Sequence, residues 1–264
     1  MTAIISRGGL SPLAPVNATL AMMHARYGDV SLQGLIPGLV ADPADGWVSA
    51  ESLLTADGVG ALLAAAQERW QAQPHAAAAL AWKCYSYWAA LPAVVGYASA
   101  RRVPLMSADR VRVHYSARQP FLRLGLHEPV TAVLASDPIA ATDVPGLLVV
   151  PDETALLGVL RESLVDRHLE PLLEMFRGQV HLGHRTLWGS VASGVAYGLS
   201  RAADAVPGST MEIATTLLET LDAADLVDIA PRAGGGLDIH RRTCCLAFTL
   251  PTPKVCTTCC IRGS

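Results

Sequence analysis

Charge is scarce in this 264-residue chain, and neither sign dominates it. Only 16% of the residues are charged, and the formal net charge is -3 at pH 7. A general nucleic-acid-binding protein normally carries a basic excess, and an anionic membrane surface attracts runs of lysine or arginine. The sequence has neither feature. We therefore expect no nucleic acid among its partners.

Long apolar runs are also missing, although 51% of the residues are hydrophobic and the mean hydropathy is +0.33. A membrane-spanning helix needs about 20 consecutive apolar residues. The richest stretch, residues 75–100, is interrupted by Lys83, Pro92 and Gly96. The first residues lack the apolar region and the cleavage site of a signal peptide. We expect a cytoplasmic protein without a transmembrane segment, and peripheral association with a membrane stays open.

Common catalytic signatures are absent as well. No G-x-G-x-x-G follows a predicted strand, so the sequence shows no fingerprint for nicotinamide or flavin dinucleotides. We interpret the glycine run at residues 234–236 as a turn between strands. No Ser-His-Asp arrangement is evident. Any redox chemistry must therefore use another carrier.

The coarse order of predicted elements is helices, a small sheet, more helices and finally strands. Thr55 can cap a helix that ends before Pro74. Residues 31–50 are rich in Gly, Pro and Asp and indicate a loop. Hydrophobic periodicity predicts the other elements: helices over 13–27, 74–100, 152–168, 169–180, 184–204 and 209–223; a hairpin of strands 110–115 and 121–126; and strands near 130–135, 146–150, 226–230 and 237–250.

This order predicts an α+β fold, mostly helical, with a small antiparallel sheet and a C-terminal cysteine-rich tail. We place an N-terminal helical part with the small sheet at residues 1–150. A helical C-terminal part follows at residues 151–264 and ends in the cysteine-rich segment 241–264. One continuous domain is the alternative to this division.

Cysteine is concentrated at one end of the chain. Five of the six cysteines lie between Cys244 and Cys260, and Cys84 stands apart. Disulfide scaffolds spread their cysteines through small secreted chains, so clustering in a large chain favours metal binding. Thiolates are soft ligands that suit both iron–sulfur clusters and zinc. Cys84, amid a predicted helix, fits a buried small hydrophobic residue better than a ligand.

The spacing of the tail cysteines is C-C-x10-C-x2-C, formed by Cys244, Cys245, Cys256 and Cys259. Structural zinc sites usually take two C-x2-C-like pairs. Successive residues of an extended strand point to opposite faces, so an adjacent pair can ligate together only where the backbone bends. A two-iron cluster is larger than one zinc ion and offers two attachment points. The pattern favours a cluster, with zinc as the competing interpretation.

The tail resembles that of the FhuF-type ferric siderophore reductases, which carry the same C-C-x10-C-x2-C arrangement near the C-terminus. The preceding Arg241-Arg242-Thr243 and the following hydrophobic stretch 246–250 are also similar to that family. So is the stretch 187–193, Leu-Trp-Gly-Ser-Val-Ala-Ser, where Ser190 replaces the usual Asn. The resemblance is specific in the cysteine motif and weaker in the N-terminal half.

The resemblance implies a [2Fe–2S] cluster bound by Cys244, Cys245, Cys256 and Cys259. It also implies one-electron reduction of Fe(III) in a hydroxamate-type siderophore in the cytoplasm. Cys260 departs from the family pattern, and we interpret it as a spare thiol. Because the chain shows no hydride-carrier motif, we expect electrons from a donor protein such as a ferredoxin or a flavin reductase. Thr243, Thr257 and Thr258 are candidate hydrogen-bond donors to the sulfurs.

Several residues are candidates for contact with substrate or partner. Strand alternation places Arg110, Arg112 and His114 on one face, and Arg123 lies on the partner strand. Such a face is either a solvated surface or a cationic surface for an anionic siderophore or an acidic redox partner. Further candidates are Arg241 and Arg242, beside the cysteines, and Trp188, which is either a pocket residue or an ordinary core tryptophan.

Two other functions compete with the reductase. One is a non-catalytic iron–sulfur protein, either an electron carrier or a cluster-based sensor. The other is a zinc-stabilised binding module. About 240 residues precede the cysteines, which is more than a simple carrier needs and favours a substrate-binding body. His181 and His184, three residues apart, are weak evidence for another metal site.

Overall fold

The computed structural model describes residues 11–28, 32–41, 46–256 and 259–260. These residues form α-helices α1 (Ala14–Tyr27), α2 (Ala56–Trp70), α3 (Pro74–Ala100), α4 (Glu153–Arg161), α5 (Glu170–Gln179), α6 (His184–Ala202) and α7 (Thr210–Thr220). The strands are β1 (Leu35–Val40), β2 (Val48–Ser49), β3 (Arg102–Pro104), β4 (Val111–Tyr115), β5 (Leu122–Leu126), β6 (Thr131–Leu134), β7 (Leu147–Val150), β8 (Val227–Pro231) and β9 (Leu237–Arg241).

Helix α3 lies at the centre of the fold. Its residues are apolar on nearly every side, so the helix is buried rather than amphipathic. It begins at Pro74, where the missing N–H costs nothing, and continues through Pro92. The helix packs against α1, α2 and α6. Buried residues from both predicted parts of the chain join one core cluster around it. Among the described residues, no helix combines the length and apolarity needed to cross a membrane.

The strands form three small sheets. The first has the order β1-β5-β4-β2, the second β3-β6-β7, and the third pairs β8 with β9. The predicted β4–β5 hairpin is confirmed, with His114 opposite Arg123. The α+β class is confirmed, but the pairing is mixed, because β1 runs parallel to β5 and β6 runs parallel to β7.

The loop prediction for residues 31–50 is wrong at β1 and β2. Strand β1 contains Pro37 and Gly38, which weaken a strand pattern in the sequence. It lies at the edge of its sheet, where a missing N–H is tolerated. Two local predictions nearby hold. Thr55 Oγ1 accepts a hydrogen bond from the Gly58 N–H at 3.1 Å, and α2 ends before Pro74.

Helices α4 and α5 are joined without a break by a π-helix, Glu162–Leu169, where the sequence indicated two separate helices. His168 lies in this π-helix and is fully buried. Its Nδ1 is 2.5 Å from the Met106 carbonyl oxygen, and its Nε2 is 2.6 Å from the Tyr85 hydroxyl. Only a protonated Nδ1 can donate to a carbonyl, so the neutral ring accepts the Tyr85 hydroxyl proton at Nε2.

We expect stability to fall as this histidine becomes charged. Burial lowers the pKa of His168 to about 4. The unfolded state, with its pKa near 6.5, binds the proton first, so stability is present above pH 6.5 and is lost as pH falls towards 4. The loss reaches about 3 kcal/mol at 1.36 kcal/mol per pKa unit. Urea unfolding between pH 7 and pH 4.5 measures it.

The matched variant is His168→Gln, which cannot titrate. It should be less stable than the parent at pH 7, but its stability should depend less on pH because the His168 titration is gone. Some pH dependence remains, since carboxylates such as Asp137, whose pKa is lowered, titrate in both proteins. Equal slopes for the two proteins would contradict the assignment of this pH dependence to His168.

Candidate functional site

Strand β9 brings the chain to the candidate site. Its side chains alternate, with Leu237 buried, Asp238 and His240 exposed, and Arg241 buried again. The strand ends at Arg241, so the predicted strand over 237–250 is correct only for its first five residues. The Arg242 N–H bonds the Leu226 carbonyl at 3.1 Å, and the chain then leaves the sheet. Cys244 and Cys245 therefore lie outside any regular strand.

The segment after β9 lies directly on helix α6. A Cβ added at Gly189 would sit 1.9 Å from Thr243 Oγ1 and 2.7 Å from Thr243 Cγ2. Only glycine allows the tail to approach the helix this closely. The Leu-Trp-Gly-Ser stretch of the sequence thus has a structural role, because it receives the residues that precede Cys244.

Replacing Gly189 by alanine should loosen this contact. Overpacking of this kind typically costs about 1–3 kcal/mol, so we expect a lower free energy of unfolding in chemical denaturation. Gly194→Ala is the matched control, since an added Cβ there meets Tyr87 at an ordinary 3.5 Å. Thr243→Ala in the Gly189→Ala background removes the two nearest atoms and should recover part of the loss. Equal effects at both glycines would contradict the steric argument.

The tail then folds back on itself. Leu246 has a left-handed backbone (φ 59°), and its N–H lies 3.4 Å from Cys244 Sγ. A 3-10 turn follows at Ala247–Thr249, and the Lys254 N–H bonds the Ala247 carbonyl at 3.0 Å. The Cys259 N–H bonds the Cys256 carbonyl at 3.2 Å, which closes a tight turn. The chain therefore bends just after Cys245.

The two ends of this loop meet through their thiols. The Cys260 thiol is hydrogen-bonded to the Cys244 side chain and lies near Cys259 and Arg241. The pKa of Cys260 is raised, chiefly by burial and then by the neighbouring sulfurs of Cys244 and Cys259. Residues more than ten positions apart in the sequence thus share one site. Sequence reasoning interpreted Cys260 as a spare thiol and did not anticipate this contact.

Cys245 lies on another side of the tail. Its side chain is 5% exposed and forms a small apolar cluster with Ala247 and Leu250. That cluster packs against Trp70, Ala72 and Leu80, at the facing ends of α2 and α3. The described contacts therefore unite Cys244, Cys259 and Cys260, with Cys256 joined to Cys259 through the backbone.

Arg241 is a buried cation beside these thiols. Its side chain is 2% exposed, and its Nη2 donates a hydrogen bond to Ser190 Oγ at 3.1 Å. Its Nε has no hydrogen-bond partner among the described residues, and the same holds for Thr243 Oγ1. A buried guanidinium is not placed to meet a siderophore or a protein partner at the surface, contrary to the expectation from the sequence. The alternation of β9, with 237, 239 and 241 in phase, is the signal that could have indicated this burial.

The other candidate substrate residues are dispersed. Arg242 is exposed and forms a two-bond ion pair with Asp228, at 3.0 and 2.5 Å. Arg112 is half-buried and donates to the Asp109 carbonyl at 2.8 Å. His114 packs near Trp47, and Arg123 opposite it is exposed.

Trp188 is a core residue rather than a pocket residue. It is 4% exposed, its Nε1 donates to the Leu221 carbonyl at 3.0 Å, and its ring stacks on His184. The sequence left both roles open, and the structure selects the core role.

The hairpin of β4 and β5 nevertheless approaches the tail. Phe121, just before β5, contacts Trp70 with ring centroids 4.7 Å apart. Trp70 in turn packs on the apolar cluster that contains Cys245. The hairpin is therefore linked to the apolar cluster of the tail through Phe121 and Trp70.

Cys84 and His184, two further residues considered as metal ligands, have interactions typical of structural residues. Burial raises the pKa of Cys84 to about 11, so its thiol stays protonated at neutral pH. His184 Nε2 is 3.1 Å from a Glu170 oxygen, a carboxylate partner that the sequence did not reveal.

Within the described residues, no group of three or more His, Cys, Asp or Glu side chains is arranged to hold a single metal ion. Thr257 and Thr258, the other candidate donors, lie outside the described residues. The donor set itself suits a two-iron cluster, which takes two thiolates at each iron. The buried Arg241 with an unpartnered Nε also suits an anionic group, because an uncompensated buried cation is costly.

The chain matches no protein-family model and no curated protein. The resemblance to the siderophore reductases therefore stands on the tail residues and the Leu-Trp-Gly-Ser stretch.

Proposed function

We propose that the chain is a ferric siderophore reductase that carries a [2Fe–2S] cluster on its C-terminal tail. The observation that carries the proposal is the convergence of the tail thiols: Cys260, next to Cys259, contacts Cys244 across the loop. Cys244, Cys245, Cys256 and Cys259 would hold this cluster. When bound, such a cluster supplies a one-electron carrier whose potential depends on hydrogen bonds and exposure.

The surrounding residues fit the needs of an anionic thiolate centre. The Leu246 N–H lies 3.4 Å from Cys244 Sγ, and N–H donors to sulfur are among the groups that tune an iron–sulfur cluster. Arg241 supplies a buried positive charge, and Thr243 supplies a hydroxyl that has no hydrogen-bond partner among the described residues. Helix α6 holds both residues in place through Ser190 and Gly189. These groups already have their positions in the absence of metal, so less conformational entropy would be lost when a cluster binds.

The substrate chemistry asks for a one-electron carrier. Hydroxamate oxygens are hard anionic donors that hold Fe(III) tightly and Fe(II) more weakly. One electron from an external donor protein, a ferredoxin or a flavin reductase, converts one Fe(III) to one Fe(II), which the siderophore then releases. No proton shuttle is required, which agrees with the lack of a conspicuous acid–base pair in the sequence. The cytoplasm is the compartment where such donors and reduced thiols occur.

The exposed cationic hairpin is our proposed contact surface for siderophore or donor. Arg123 and His114 face each other across β4 and β5, and the end of this hairpin is linked to the tail by Phe121 and Trp70. Exposed Arg242 is the other candidate, although Asp228 neutralises part of its charge. Arg112 is committed to backbone contacts and contributes mainly to the local field.

The test is anaerobic purification followed by iron and sulfide counts and electron paramagnetic resonance of the reduced protein. We expect about two irons and two sulfides per chain, as the cluster type requires. Reduced protein mixed with a ferric hydroxamate should be reoxidised while Fe(II) accumulates in a chelating trap. A colourless protein with bound zinc would support the binding-module alternative. A red-brown protein that leaves ferric hydroxamates unreduced would support the carrier or sensor. Cys84→Ala is the control, since it removes a thiol outside the tail.

A further inference from the structure

We propose that Cys260 is a fifth ligand-competent thiol, able to take the place of Cys245 beside Cys244. This inference rests on the proposed function, because it concerns the ligands of the same centre. It goes beyond the family pattern, in which the residue after the C-x2-C pair has no assigned role. The tail would then contain five cysteine thiols that can occupy the four ligand positions of the cluster.

The first argument is the position of Cys260. Its thiol is hydrogen-bonded to the Cys244 side chain and lies next to Cys259. Cys244 and Cys259 belong to the two different halves of the motif. A thiol that lies near both of them is therefore in a position where it could act as a cluster ligand. The Cys259 N–H also bonds the Cys256 carbonyl at 3.2 Å, which keeps Cys256 close to the residue that precedes Cys260.

The second argument is the position of Cys245. Its side chain packs with Ala247 and Leu250 against Trp70 and Leu80, in the one apolar cluster that the tail contributes among the described residues. To ligate together with Cys244, it must leave these apolar contacts. Cys260 needs no comparable movement to reach the neighbourhood of Cys244. Burial of an unused thiol costs little, because a cysteine behaves as a small hydrophobic residue.

The third argument is charge. Arg241 lies near the Cys260 thiol and is buried, and its Nε has no hydrogen-bond partner in the described part of the chain. This position places a cation beside Cys260, whereas the described neighbours of Cys245 are apolar side chains. Exchange of the two cysteines breaks one iron–sulfur bond and forms another. The departing Cys245 takes up a proton as the arriving Cys260 loses one, so no electron is exchanged.

The experiment compares iron and sulfide contents of Cys245→Ala, Cys260→Ala and the double variant, all purified anaerobically. We expect Cys245→Ala to retain most of the iron and sulfide of the parent, and the double variant to lose nearly all. Retention in both single variants with loss in the double variant makes the two thiols interchangeable. Loss in Cys260→Ala with retention in Cys245→Ala makes Cys260 the resident ligand, and both outcomes support the proposal. Loss in Cys245→Ala equal to that in the double variant overturns the proposal, and so does retention in the double variant. Circular dichroism confirms that each variant is folded.

A second measurement tests the geometry without iron. In cluster-free protein with Cys244 and Cys260 as the only tail cysteines, the thiol-bridging fluorophore dibromobimane should cross-link the pair. The matched protein retains Cys245 and Cys260 instead and should react several-fold less. Equal cross-linking in both proteins overturns the proposal. A parent protein without iron and sulfide rejects the proposed function itself, whereas a loaded parent with an empty Cys245→Ala variant rejects only this inference.

Discussion

Replacing Cys244 and Cys259 together by alanine should remove nearly all iron and sulfide from the protein, and the reduction of ferric hydroxamates with them. The double variant leaves three tail cysteines, Cys245, Cys256 and Cys260, for a centre that takes four thiolates. This arithmetic holds whichever of the remaining thiols can exchange positions. The substitution also removes one sulfur from each half of the motif, so neither half retains its full pair.

The rest of the fold should survive this change. Cys244 and Cys259 lie outside the core cluster that α3 organises, and the tail forms its own small cluster around Cys245. We therefore expect an unchanged far-ultraviolet circular dichroism spectrum and a thermal midpoint close to that of the cluster-free parent. Cys84→Ala removes a thiol that packs near Trp88 on α3, and it should keep its iron. Full iron content in the double variant would reject the tail as the cluster site.

Much of the scaffold around this site can be predicted from local sequence. The Thr55 cap, the proline at the start of α3 and the alternation of β4 and β5 are local signals, and each is confirmed. The parallel partner of β1 is not a local property. Leu35 pairs with Leu124, some 90 residues away, and nothing in the segment itself specifies that pairing. The edge position that tolerates Pro37 therefore emerges only in the folded sheet.

The site shows the same division. The spacing of the cysteines is visible in the sequence, and it indicates a metal centre. The contact between Cys260 and Cys244 depends on the left-handed turn at Leu246 and on the loop closure between Ala247 and Lys254. Leucine does not favour a left-handed backbone, so the sequence could not have located the turn at Leu246.

The adjacent residues Arg241 and Arg242 have different environments because strand β9 ends between them. Arg241 continues the inward phase of β9, whereas Arg242 leaves the strand and pairs with Asp228 in solvent. In the sequence they appear equivalent, and both were candidates for contact with an anionic substrate. In the structure one is positioned to compensate charge inside the protein and the other to act at its surface.

Replacing Arg241 by methionine should have opposite effects on the cluster-free and the loaded protein. Without the cluster, Arg241 Nη2 donates a hydrogen bond to Ser190 Oγ, and its Nε has no partner within the part of the chain that the structure describes. Replacing buried ionic groups by apolar residues of similar volume is often neutral or stabilises by about 1–4 kcal/mol. With the cluster bound, the same substitution would remove a buried positive charge close to the tail sulfurs. We expect about 10- to 100-fold weaker retention of iron, the usual cost of losing an outer-shell partner.

Thermal unfolding of the cluster-free protein and the rate of iron loss to a chelator measure the two effects separately. Arg242→Met is the matched control, because it removes the neighbouring cation from an exposed ion pair and should change both quantities little. Arg241→Lys keeps a positive charge and should retain iron better than Arg241→Met. If Arg241→Met instead destabilises the cluster-free protein and leaves iron retention unchanged, Arg241 serves the packing between β9 and α6. Opposite signs for the two measurements would show that the protein places this cation for a group that the tail receives after folding.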